Sequence, residues 1–115
     1  MRLHIRYPGH SLTEDLAVYV DRQLRFALRR FADRVARVDV TLRDQNGPKG
    51  GVDQECKIHV QLTTRARLRV KETRDDAFAA VALASDRIAH AIGRHVDRIR
   101  RPRRARASQA LPEAV

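Results

Sequence analysis

The chain has 115 residues, one domain's worth. Hydrophobic residues make up 43% and aromatic residues only 4%, which excludes a disordered polar chain and calls for a mostly aliphatic core. The 24 Lys+Arg outnumber 14 Asp+Glu for a formal +10, so a polyanion is the expected partner: nucleic acid or an anionic membrane surface.

Leu3-His4-Ile5-Arg6-Tyr7 alternates apolar and polar and predicts a half-buried strand. Pro8-Gly9 turns the chain. Ser11 followed three residues later by Glu14 is a capping-box pattern, with Thr13 as a competing cap. A helix over residues 13–32 follows, because Leu12, Leu16, Val20, Leu24, Ala27 and Phe31 share one stripe. Arg22, Arg25 and Arg29 project from the opposite side.

Residues 35–43 alternate again, with Val38, Val40 and Leu42 inward. Residues 44–51 (DQNGPKGG) read as loop. In 54–63 the inward set is Cys56, Ile58, Val60 and Leu62. A turn at Thr64-Arg65-Ala66 leads to 67–71, with Leu68 and Val70 inward. These strands are short and consecutive, so an antiparallel meander is the economical arrangement. The last helix begins at Asp75 or Asp76 and runs to about residue 101, with Phe78, Val81, Ser85, Ile88, Ile92 and Ile99 as its apolar repeat. Pro102 stops it, and 102–115 is expected to be a basic, disordered tail.

Two amphipathic helices and four strands in the order β-α-β-β-β-α make a two-layer α+β domain, both helices on one face of the sheet. The other face, carrying Arg2, His4, Arg6, Arg37, Arg43, Lys57, Arg67, Arg69 and Lys71, is expected to be solvated.

The residues that point to function are on the last helix. Arg87, His90, Arg94, Arg98 and Arg101 recur at spacings of three and four, away from the apolar stripe. They form a row of roughly 20 Å, long enough to touch several phosphates. The first helix's row lies beside it if the helices pack side by side. A solvated surface normally mixes both signs, whereas these two rows contain no acid; Asp86 and Asp97 fall toward the flank. The abundance of Arg over Lys favours phosphate, which guanidinium binds bidentately. A GC-rich genome would also favour Arg over Lys, but it does not account for the net +10. Arg100, Arg101, Arg103, Arg104 and Arg106 extend the same surface.

Other chemistries have little support. Gly47-Pro48-Lys49-Gly50-Gly51 lacks phosphate-loop spacing and precedes a strand. The five histidines show no metal-ligand spacing with Cys or acids apart from Asp86/His90, an i,i+4 surface pair. Cys56 is a buried small hydrophobe. No nucleophile has a base beside it, so no enzyme activity, cofactor, metal or small-molecule substrate is expected. The start, Met1-Arg2-Leu3-His4-Ile5, lacks an apolar stretch of signal length, and a cytoplasmic protein with no membrane association is expected.

The chain resembles the hibernation-promoting factor and ribosome-associated inhibitor A family over about residues 1–101. The element order and the Leu12-Thr13-Glu14 helix opening are similar. The match is specific in the last helix: Asp76-Ala77-Phe78-Ala79-Ala80-Val81, then Asp86-Arg87-Ile88-Ala89, then Arg94-His95 and Asp97-Arg98-Ile99-Arg100. The resemblance implies binding to the small ribosomal subunit in the channel used by messenger RNA and transfer RNA, with ribosomal RNA met by the helices' basic faces, and silencing of translation in stationary phase or stress. By position it assigns Arg87, Arg94, His95, Arg98 and Arg100 to family basic or His sites. Arg22 and Arg25 are displaced by one position from the family lysines, and the loop at 44–53 is longer. The resemblance is to the short form, without the further domain that pairs ribosomes. A generic RNA or DNA binding module and a regulatory protein partner remain as alternatives.

Overall fold

The computed structural model describes residues 1–45 and 53–100, the side chain of Arg100 excepted. The expectations for the glycine-rich loop, for Arg101 and for the tail at 102–115 lie outside the described residues.

Period-two alternation makes four strands: β1 (Arg2–Arg6), β2 (Val35–Asp44), β3 (Gln54–Leu62) and β4 (Arg67–Arg74). They lie in the order β1-β2-β3-β4. The expected meander holds for β2, β3 and β4, which pair antiparallel. β1 departs from it and runs parallel to β2, Leu3 opposite Val38 and Ile5 opposite Val40. The helix between them is the reason: it carries the chain back to the starting end of the sheet, as a parallel pair requires.

That helix, α1 (Glu14–Ala27), is capped by Thr13 rather than Ser11. The Thr13 hydroxyl accepts the Leu16 N–H at 3.2 Å, and Glu14 and Asp15 in the first turn suit the helix dipole. α1 is shorter than its periodicity suggests. It gives way to a 3-10 turn at Arg29–Phe31, where the Phe31 N–H bonds the Leu28 carbonyl at 2.8 Å. Its buried row is therefore Leu16, Val20, Leu24 and Leu28 at strict i+4 spacing, closed by Phe31; Ala27, placed on the stripe by sequence, is only half-buried.

The second long helix, α2 (Ala77–Arg100), lies over β3 and β4 and packs beside α1. Ala80 and Ala84, fully buried, keep its first half close to the sheet, and Val81, Ile88, Ile92 and Val96 fill the space beyond. Phe78 and Ile99 do not join the core. They stand 38% and 46% exposed, where the helix overruns its support at either end. Phe78 instead meets Tyr19 of α1 edge-on, ring centroids 5.0 Å apart.

The core is aliphatic, with Val38, Val40, Leu42, Ile58, Val60 and Cys56 beneath the helices. Cys56 is fully buried, and burial, reinforced by Glu55, pushes its thiol up to about 12. It is a packing residue without a thiolate at neutral pH. The opposite sheet face carries no helix; Arg2, His4, Arg6, Arg37, Arg43, Lys57, Arg67, Arg69 and Lys71 are all exposed there.

Candidate nucleic-acid interface

Side-by-side packing of α1 and α2 leaves a groove of about 480 Å³ between their outward faces. Small residues form part of its lining: Ala27 from α1, and Ser85, Ala89 and Gly93 from α2. Gln23, Phe26, Arg29 and Arg30 line one side; Asp86, His90, Arg94 and Asp97 line the other. Arg29, His90 and Arg94, picked from sequence on two separate helices, are thus brought to one groove.

The other sequence candidates are distributed differently. Arg22 and Arg98 are exposed outside the groove lining. Arg25 is 54% exposed and ion-paired to Asp21 at 2.9 Å, an i,i+4 contact. Arg87 leans the other way, toward the sheet, with its Nε 2.8 Å from Glu72 of β4. It is the candidate most committed to the fold. His95 is half-buried, and its enclosed Nε2 has no hydrogen-bond partner, so it stands off the exposed row. Nor are the rows free of acid: Asp86 and Asp97, placed on the flank by sequence, line the groove itself.

The sequence reading missed Phe26 and Arg30. Phe26 is 65% exposed on α1's cationic side, with the Arg29 guanidinium 4.0 Å from its ring centroid. Arg29 Nη1 also donates to the Phe26 carbonyl at 2.7 Å, which satisfies a helix-end acceptor and fixes the guanidinium over the ring. A ring held open beside cations offers a nucleobase a stacking surface. The signal was available, since one aromatic interrupts an otherwise polar row. Arg30 sits in the 3-10 turn, where a projection at 100° per residue misplaces side chains; its guanidinium lies 4.9 Å from the Phe31 ring centroid.

Among the described residues no group of His, Cys, Asp and Glu is placed to hold a metal ion, and no helix is long and apolar enough to cross a membrane.

Residues 3–100 match the sequence model of the family described as sigma 54 modulation protein / S30EA ribosomal protein. The chain belongs to this family. By that description it is a family of ribosome-associated and modulatory proteins, not of enzymes. The fold is shared with solved structures. The N-terminal domain of Thermus thermophilus Protein Y has 22% identity and a TM-score of 0.69, with 83% of this chain and 99% of that one covered. A ribosomal subunit interface protein from Coxiella burnetii has 12% identity and a TM-score of 0.72, with 84% and 99% covered. No curated protein sequence matches the chain significantly.

Proposed function

We propose that this S30EA-family protein binds the small ribosomal subunit through ribosomal RNA, in the decoding channel, and inhibits translation by excluding messenger RNA and transfer RNA. Its role is that of a cytoplasmic hibernation factor of stationary phase or stress, carried by the domain at 1–101. The observation that carries this reading is the groove between α1 and α2, lined by Arg29, Arg30, His90 and Arg94 with the open Phe26 ring at its side. Membership of a ribosomal protein family supplies the partner. Folded RNA presents phosphates in fixed geometry, so a rigid cationic groove can dock without reading sequence. Arg22, Arg25 and Arg98 widen the footprint. Arg87, His95, Arg100 and Arg101 complete the proposed contacts by their family positions.

Co-sedimentation with purified small subunits, at low and moderate salt and with or without bound transfer RNA, tests this. Near-stoichiometric migration that transfer RNA competes away is the expected result. The double variant Arg94→Glu/Arg98→Glu, folded by circular dichroism because both side chains are exposed, should lose roughly a hundredfold in affinity through lost phosphate contacts and added repulsion. Migration unaffected by transfer RNA would sink the decoding-channel assignment.

A further inference from the structure

The helix-free face of the sheet holds a second array of cations, and its strand register places like charges against each other. Lys57 of β3 is opposite Lys71 of β4. At the other edge, Arg2 of β1 is opposite Arg37 of β2. Like charges directly across a strand pair destabilise a sheet. A sequence selected only for stability would place acids there.

The acids that the face does hold are already engaged. Asp39 takes two hydrogen bonds from Arg37, at 2.9 and 3.1 Å. Glu55, only 4% exposed, lies 3.9 Å from Arg43 and 3.7 Å from Lys71. Lys57 and Arg69 have no carboxylate partner among the described residues. The strands' twist leaves a shallow depression of about 810 Å³ over this face, lined by Arg6, Lys57, His59, Arg69 and Lys71 among others.

We propose that this face is a second RNA-binding surface, which receives the phosphate backbone of a folded RNA segment while the helical groove holds another. That the polyanion is RNA rests on the function proposed above. The face itself favours phosphate over a lipid surface. Its exposed side chains are cationic or hydrogen-bonding, and the large exposed apolar residues (Val18, Phe26, Phe78 and Ile99) are all on the helices, so nothing on it would enter an acyl layer. It carries no Phe, Tyr or Trp platform for single-stranded bases, which favours backbone contact to structured RNA. One molecule would then join two RNA segments through its thickness.

The test uses a short labelled RNA duplex and the full chain carrying Arg94→Glu/Arg98→Glu, which weakens the helical surface at the groove's Arg94 and the neighbouring Arg98. Residual, salt-sensitive duplex binding is expected. Adding Lys57→Gln and Arg69→Gln should weaken it about tenfold and reduce the salt slope by about two. Because Lys57→Gln relieves the contact with Lys71, and Arg69 has no carboxylate partner to lose among the described residues, the thermal midpoint should hold or rise. Unchanged affinity and slope would overturn the proposal. A lowered midpoint would overturn it as well, by showing that these cations serve the fold. Equal binding to phosphatidylglycerol vesicles or polyglutamate at matched charge would overturn the assignment to RNA. Duplex binding is read without ribosomes, so failure of the decoding-channel reading would show separately, in the sedimentation experiment.

Discussion

The two cationic surfaces both hold internal ion pairs and differ in shape and in how their unpaired cations are placed. In the helical layer, Arg25 meets Asp21, Arg87 meets Glu72, and Asp86 and Asp97 line the groove beside Arg29, Arg30 and Arg94. On the sheet, Asp39 meets Arg37 and Glu55 meets Arg43 and Lys71, yet Lys57 still faces Lys71 across the strand pair. The helical surface is shaped, with small residues in its lining and an aromatic ring; the sheet surface is broad and sets like charges in register. The contrast shows that a net charge of +10 does not locate a binding site. Which cations lack an internal partner, and which lie in a concavity, is the more informative property.

The largest expected effect removes both surfaces together. Ile88 is fully buried in α2, beneath the groove and above the sheet. Ile88→Ala should cost about 2–5 kcal/mol in a urea unfolding titration, through lost transfer energy and the cavity left behind. If RNA binding by the helical groove survived in a variant whose sheet no longer folded cooperatively, the two surfaces would not share one core.

Phe26→Ala separates shape from charge. The ring is exposed, so the unfolding midpoint should barely move, while RNA affinity falls by about 1–3 kcal/mol if a base stacks there. The salt slope should stay constant, because no cation is removed. A reduced slope would mean that Phe26 acts only by holding Arg29 in place. Thr13→Ala is smaller and purely structural. Loss of the cap should lower stability by about 1 kcal/mol with no change in affinity for RNA at temperatures well below unfolding.

Much of this arrangement is legible in the sequence. Period-two runs mark all four strands, and the i+4 row of Leu16, Val20 and Leu24 marks α1, because burial on one side imposes the period. Arg29, His90 and Arg94 can be picked out because a cationic row opposite an apolar stripe must face water. What was not legible depends on neighbours distant in the chain. Nothing local shows that Arg87 has Glu72 beside it, or that β1 pairs parallel. The end of α1 is hidden in the sequence because the 3-10 turn keeps the apolar spacing approximately intact through Phe31. The like-charge contacts on the sheet require the strand register, which alternation alone does not provide.

The smallest expected effect concerns Asp39, the carboxylate in the middle of the sheet surface. Its hydrogen-bonded Arg37 holds the Asp39 carboxyl below its ordinary value; partial burial opposes this, and His4 and His59 on the neighbouring strands add in the same direction as Arg37. A carboxyl whose folded value lies below its unfolded one contributes stability that is fully present above the unfolded value, about 3.9, and is lost as pH falls through the folded value. The contribution should therefore be constant at neutral pH and disappear in acid below about pH 4. Asp39→Asn should lower the unfolding midpoint at pH 7, with the difference from the unsubstituted protein narrowing toward pH 3. The same substitution removes a counter-charge from the sheet surface, so affinity for an RNA duplex should rise slightly. Asp97→Asn should raise ribosome affinity, since it removes an acid from the lining of the helical groove. If both variants affected only stability, neither surface would be set by its local charge, and the contrast between them would lose its functional meaning.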